Sequence, residues 1–265
     1  MKNTAISIGQ FWINKSSLAC ACACACACAC ACACVVLGLG TGYATAQPAA
    51  TAADTSITAI DILLLPDTTM IQHAERVNNR LRSVFPKGFS LDASHHPHIS
   101  MFQCFVHTAD LAKVFVAADK VFASGNVTNL KLTAFKHYYI ADKDLGLSGI
   151  VIKPTAELIK LQSELIAAVA PLTVKSATAA AFVTTPENPD INPLLIHYVE
   201  VFATEHAGTH FEPHVTTGVA PRDYLDKMLA EPFADFAFLP AGAAVYHLGE
   251  YGTAAKKLTD LKLKP

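Results

Sequence analysis

Two short segments repeat one arrangement of side chains that can move protons: Pro97-His98-Ile99-Ser100-Met101 and Pro213-His214-Val215-Thr216-Thr217. Each reads proline, histidine, aliphatic, hydroxyl. In an extended strand alternate side chains share a face, so each imidazole and the hydroxyl two residues on point the same way, while Ile99 and Val215 enter the opposite layer. Proline suits the first position of such a strand, where a missing donor is tolerated. If the two stretches face each other, one cleft receives two imidazoles and two hydroxyls. Phosphodiester chemistry uses that set: one imidazole takes a proton from the attacking oxygen, the other gives a proton to the leaving oxygen, and the hydroxyls hold the nonbridging oxygens. Histidine titrates near neutral pH and serves both roles without a metal. A lone His-x-Ser/Thr carries little information, and the bland reading is a strand-end histidine bonded to a loop. The second copy, at a comparable point of the second half, gives the pattern its weight.

The elements that must position these motifs can be read from hydrophobic periodicity. Ile57 to Leu65 is a β-branched, Leu-rich strand stopped by Pro66-Asp67, and Met70, Ala74, Val77, Leu81 and Val84 follow at helical spacing. Pro86-Lys87-Gly88 breaks that helix, and His98 to Val106 is the next strand. Asp110 to Ser124 is helical. Val127 to Ile140 alternates as one long strand and pairs with Gly149 to Lys153 as a hairpin. Pro154-Thr155 opens a helix ending near Pro171, and Thr184 to Pro193 is a proline-rich loop. Leu194 to Glu205 is ambiguous by pattern and read as a helix. A strand from Pro213 to Val219, a helix from Pro221 to Leu229, and strands near Phe236 to Leu239 and Ala244 to Glu250 close the chain. Lys256, Lys257 and Lys262 to Lys264 read as a solvated C-terminal surface. The order is α+β, in two comparable halves.

Of the 265 residues, 52% are hydrophobic and 16% charged, but the N-terminus distorts both figures. Lys2 and Lys15 precede 22 uncharged residues, Leu18 to Leu39, which lead to Ala44-Thr45-Ala46. That is the order of a secretory signal, with cleavage expected before Gln47 and a mature protein that is exported to the periplasm or secreted. The apolar run is also long enough to serve as an uncleaved anchor. Cysteine occupies every second position from Cys20 to Cys34, a low-complexity repeat read as apolar filler. Residues 1–46 are thus a signal, 47–56 a flexible lead-in, and 57–265 the folded unit.

Without the signal the chain carries 18 basic and 22 acidic side chains, a net charge of −4. This argues against tight nonspecific binding of duplex nucleic acid, which needs many phosphate-neutralising contacts. Small anionic substrates remain open. Of nine cysteines, Cys104 alone survives cleavage, so no intrachain disulfide follows, and its apolar surroundings read as a structural thiol. Neither a nucleophile elbow nor a P-loop lysine motif occurs.

The paired motifs, His96-Pro97-His98-Ile99-Ser100 and Phe211-Glu212-Pro213-His214-Val215-Thr216, together with the opening strand and Tyr246-His247-Leu248-Gly249, make the chain from about Ile57 to Leu263 resemble the two-histidine (2H) phosphoesterases, the 2'-5' RNA ligase-like superfamily. The resemblance implies a bilobal fold with pseudo-twofold symmetry, antiparallel sheets lining a central cleft, and helices outside. It implies metal-independent cleavage or ligation at 2',3'-cyclic or 2'-5' phosphodiester bonds, with no cofactor. Carried over by position, His98 and His214 are the acid/base pair, the second acting as base toward water and the first as acid. Ser100 and Thr216 are then phosphate ligands. The motifs are 116 residues apart, generous for the family, and an export signal departs from its intracellular RNA-processing members.

The expected partner is a small nucleotide or RNA end bearing a cyclic phosphate, bound by a monomer with no stable membrane association. Phe102, Phe211, Tyr246 and Tyr251 are rings that could stack on a nucleobase, with core packing as the competing reading. Two alternatives stay open. One is a noncatalytic phosphate- or nucleotide-binding module on the same scaffold. The other is a metal-dependent hydrolase, since His206, His210 and His214 are spaced by four and His95, His96 and His98 are clustered. Gly208 and Pro213 oppose a continuous helix through the first group, and His95, His96, His206 and His210 also read as loop residues near a cleft mouth.

Overall fold

The structure, a computed structural model, describes residues 55–186 and 189–264. The signal and nearly all of the lead-in expected from the sequence lie outside the described residues. Strand β1 (Ile57–Pro66) runs into helix α1 (Thr68–Val84), followed by β2 (Ile99–His107), α2 (Leu111–Ser124), β3 (Leu132–Asp142), β4 (Leu145–Ile152) and α3 (Ala156–Val169). A short β5 (Thr173–Val174) precedes α4 (Pro193–Glu205), β6 (His214–Pro221), α5 (Arg222–Leu229), β7 (Phe236–Phe238), β8 (Pro240–Leu248) and β9 (Ala254–Asp260). The expected α+β class holds, including the helix over 193–205. Among the described residues no helix is long and apolar enough to cross a membrane.

The strands form two antiparallel sheets. One has the order β5-β2-β1-β8-β9 and the other β6-β4-β3-β7. The two sequence halves therefore interleave and do not form one sheet each. The first-half hairpin β3-β4 pairs with the second-half β6, and the second-half β8-β9 pairs with β1. Each sheet still carries one motif, the first on β2 and the second on β6. Three local expectations change. Residues 127–129 form a 3-10 turn ahead of β3, because Asn126 and Asn129 bond to each other at 2.6 Å and bend the chain away from the sheet. Lys256 and Lys257 are exposed as expected, but their backbone is the edge strand β9. The two-residue β5 was too short for any periodic signal.

One apolar core runs through the molecule. Ile60, Ile62 and Leu64 from β1 meet Val215 of β6, Ile150 of β4, and helix stripes such as Leu158, Leu161 and Leu165 of α3. Each such large side chain contributes roughly 1.5–3 kcal/mol when removed from water. A second cluster, with Ala59 and Phe105 under Val199 of α4, fixes that helix over one end of the five-stranded sheet.

Helix α1 ties the motif strands together. Asp67 caps it, accepting from Thr69 N at 3.0 Å and Met70 N at 3.2 Å, and its stripe of buried residues is Met70, Ala74, Asn78 and Leu81. Asn78 is polar and buried, and its amide is fully occupied. Nδ2 donates to Thr217 O at 2.9 Å and to Phe89 O at 3.0 Å, while Oδ1 accepts from Leu91 N at 3.3 Å. The loop leading into β2 and the strand β6 are thus held by one side chain. Thr217 is the extra residue of a bulge, since Gly149 pairs with Thr216 and Ser148 with Gly218. Gly218 sits at φ +139°, where a Cβ would lie 2.9 Å from the Asn78 amide, so glycine is required there for both reasons.

Replacing Asn78 by Leu leaves two carbonyls and an N–H buried without partners, at about 1–3 kcal/mol for each group that water cannot reach. Urea denaturation should show a loss of at least about 2 kcal/mol. A loss within about 0.5 kcal/mol, the range of an ordinary surface change, would remove the role given to Asn78.

Candidate active site

Both motif histidines are anchored in the same way. His98 Nδ1 lies 2.7 Å from His96 O, and His214 Nδ1 lies 2.8 Å from Glu212 O, each contact crossing the intervening proline. A residue before proline is confined to extended backbone, which turns its carbonyl toward the ring two positions on. A carbonyl oxygen can only accept, so Nδ1 carries hydrogen in both rings, and Nε2 is left to meet other partners, Asp61 in the case of His98. The prolines of the repeated motif therefore do more than open strands: they set the ring tautomer.

His98 lines the cleft with Thr216, His214 is near enough for the charge on His98 to act on it, and the two rings are pushed in opposite directions. His98 is buried, with 8% exposure, and its Nε2 lies 3.4 Å from Oδ2 of Asp61. Burial alone would pull its pKa down, but the hydrogen bond and charge of Asp61, helped by the His96 carbonyl, outweigh burial and hold it above the ordinary value. Among the described residues, His214 has no carboxylate at hydrogen-bond distance. Burial foremost, with the charge on His98 adding, lowers its pKa to about 4 against the smaller opposing pull of the Glu212 carbonyl and Asp61. The shifts favour the protonated ring at His98, which can give a proton, and the neutral ring at His214, whose Nε2 lone pair can take one.

The neighbouring residues fall into three groups. Thr216 lines the cleft beside His98, and its hydroxyl has no hydrogen-bond partner among the described residues. The Ser100 hydroxyl is already engaged, donating to Asp61 Oδ2 at 2.5 Å and accepting from Gln103 Nε2 at 3.1 Å. Tyr138 meets His214 edge-on, with ring centroids 4.9 Å apart. Its ring lies across Gly149, where a Cβ would come within 2.5 Å of Tyr138 Cε1 and 3.0 Å of Val215 O. Glycine there lets an aromatic ring reach the second motif.

The four aromatic candidates divide. Phe102 and Phe211, 3% and 6% exposed, belong to the main core and present no face to the cleft. Adjacency to the motifs suggested otherwise, but the β2 bulge turns Phe102 into the core, where it packs on Phe202. Tyr246 is also buried, but its ring faces His96 at 6.3 Å and the Lys257 ammonium at 5.9 Å. Tyr251 lies on the cleft wall, 41% exposed and with φ +59°, a conformation uncommon outside glycine.

The cleft also contains rings that sequence reasoning did not single out for stacking. Phe89 stacks on His95 at 4.7 Å and 9°, and stands 5.8 Å from Tyr251. Asp92 Oδ1 holds that loop, accepting from Ser94 N at 2.8 Å and His95 N at 3.1 Å. His95 and His96 line the cleft as expected. His206 follows the end of α4 and stacks on Tyr198 at 4.1 Å, whereas His210 sits in a separate 3-10 turn, so the His206, His210 and His214 spacing is not realised on one helix. Among the described residues no group of three or more His, Cys, Asp or Glu side chains is arranged to hold a metal ion. Burial pushes the Cys104 thiol up, as expected of a structural cysteine.

No protein-family model matches the chain, and no curated protein matches it in sequence. Among solved structures it is similar to TT0787 of Thermus thermophilus, with 12% identity and a TM-score of 0.47, covering 78% of this chain and 98% of that one. It is also similar to Usb1 of Kluyveromyces marxianus, with 10% identity and a TM-score of 0.40, covering 79% of this chain and 99% of that one. The two antiparallel sheets of this chain each carry one imidazole-hydroxyl motif, the first on β2 and the second on β6.

Proposed function

We propose that the protein is a metal-independent phosphodiesterase that opens 2',3'-cyclic or 2'-5' phosphodiester bonds of a nucleotide or RNA end. The observation that carries this reading is the pair of identically anchored imidazoles, His98 against the Asp61 carboxylate and His214 without one, with their pKa values pushed apart and the unengaged hydroxyl of Thr216 on the second motif. In hydrolysis of a cyclic phosphate, Nε2 of His214 takes a proton from water, the water oxygen bonds to phosphorus, and the bond from phosphorus to one ribose oxygen breaks. That oxygen receives the Nε2 proton of His98. The two rings finish with their protonation exchanged and return to the starting state through solvent. Thr216 donates to a nonbridging oxygen, and Ser100 can do the same after turning from Asp61. Phe89, His95 and Tyr251 offer an aromatic wall to the base of such a substrate. Lys2, Lys15, the apolar run and Ala44-Thr45-Ala46 support an exported enzyme, and the compact body supports a monomer.

Assay of a panel of nucleoside 2',3'-cyclic phosphates in the presence of EDTA should show turnover. His98→Ala or His214→Ala should lower kcat by about two to four orders of magnitude, the range for loss of a general acid or base. Turnover that survives both changes, or that EDTA abolishes, overturns the mechanism; binding without turnover in the native protein identifies a binding module instead.

The active form needs His214 deprotonated and His98 protonated. Activity should therefore fall on acidification through the His214 pKa of about 4, and on alkalinisation through the raised His98 pKa, leaving a plateau between the two. A kcat/KM profile that rises from pH 6 to pH 9 would contradict these assignments. Tyr251→Ala and Phe89→Ala should each raise KM by about 5- to 100-fold with kcat nearly unchanged, the effect of losing about 1–3 kcal/mol of stacking on a base. Unchanged KM values would exclude the aromatic wall as a base-binding surface.

A further inference from the structure

We infer that Asp61 is a positioning residue for the His98 acid, its buried carboxylate fixing the Nε2 proton of His98 and the hydroxyl of Ser100. The inference rests on the reading of His98 as proton donor. Asp61 lies in the middle of β1 with 0% exposure, and its chain neighbours Ile60 and Ile62 are equally buried. A carboxylate there costs several kcal/mol unless its surroundings compensate, and an apolar residue would serve the core better.

The compensation comes from the catalytic motif. Three donors converge on Oδ2: Ser100 Oγ at 2.5 Å, Gln103 Nε2 at 3.1 Å and His98 Nε2 at 3.4 Å. Oδ1 has no partner. Residues three apart on a regular strand point to opposite faces, but β1 pairs Ile62 with Phe102 and then Leu63 with Ser100. The bulge leaves out Met101 and brings Ser100 and Gln103 to the same side of the sheet, around Asp61. The distortion of β2 is thus spent on surrounding one carboxylate with the motif's own donors.

The remaining ionisable groups leave Asp61 as the anion nearest His98. From β6, His214 is held neutral, and from the loop before β2, His96 is lowered by burial, with the charges on His98 and Lys257 adding. Tyr198 of α4 and Cys104 of β2 both feel the charge of Asp61, and burial first, then that charge, keeps each protonated. Glu212, exposed beside β6, acts on Tyr198. Cross-strand from Asp61, Tyr246 of β8 precedes Lys257 of β9.

The test is Asp61→Asn, which preserves shape and can still accept from Ser100. Imidazole nitrogen NMR should show His98 losing its proton about 1–3 pH units lower than in the native chain, the effect of removing an opposite charge at this range. The alkaline limb of kcat should move down with it. KM for a cyclic phosphate should fall or stay constant, because an anion facing the substrate phosphate has been removed. An unchanged His98 titration overturns the inference while leaving the two-histidine mechanism to stand on the alanine variants. Absence of turnover in the native protein would defeat the mechanism, and the ring titration would still judge Asp61. Should Asp61→Asn not fold, titration of the native chain decides: His98 losing its proton below pH 7 overturns the role, and His98 still charged above pH 7 supports it.

Discussion

A carboxylate with no access to water, set in the middle of an apolar strand, must find partners within the fold, and the arrangement around Asp61 follows from that requirement. Its donors are the ring and hydroxyl of the first motif and the amide of Gln103, further along the same strand. The second motif has no equivalent. The sequence-level symmetry of the two Pro-His-aliphatic-hydroxyl segments is therefore broken by one side chain outside both. Two imidazoles with the same tautomer become chemically unlike because one faces a buried anion and the other does not. That difference comes from the residue opposite β2, not from the motifs themselves.

The motifs were legible in the sequence because their geometry is local. Proline, the preceding carbonyl and the ring two residues later are fixed by adjacent backbone, and alternation along a strand assigns the hydroxyl to the same face. The main helices and strands were legible for a similar reason, since buried stripes such as Met70, Ala74 and Leu81 recur at helical spacing. Asp61 was not. One acidic residue among Ile60, Ile62 and Leu63 has no local signature, and its meaning depends on register with a strand about 40 residues away. Phe89 and His95 were hidden likewise, because an Asx turn at Asp92 and the amide of Asn78 bring them into the cleft. Phe102 shows the competing core reading realised: beside a motif in sequence, it packs in the core at a one-residue bulge that no periodicity reveals.

Asn78 joins what the chain order keeps apart. Its amide spans the loop that delivers His95, His96 and His98 and the strand that delivers His214 and Thr216. Such a buried, fully satisfied polar group specifies one arrangement of its neighbours, since any other leaves carbonyls without donors. Gly218 makes the close approach of α1 to β6 feasible, and Gly149 makes room for Tyr138 beside His214. The cleft is thus shaped as much by absent side chains as by present ones.

The exchange of hairpins between sheets has a topological consequence. β3-β4 completes the sheet begun by β6, and β8-β9 completes the sheet begun by β1, so the backbone crosses between lobes more than once. Neither lobe corresponds to a contiguous stretch of chain that a ribosome could finish first. A nascent polypeptide released only as far as α3 would leave β4 with an open edge and β1 with a bare flank, both awaiting segments still to be made. Each lobe is completed only when segments from both halves of the chain are present, and the two motifs take their places on that joint scaffold.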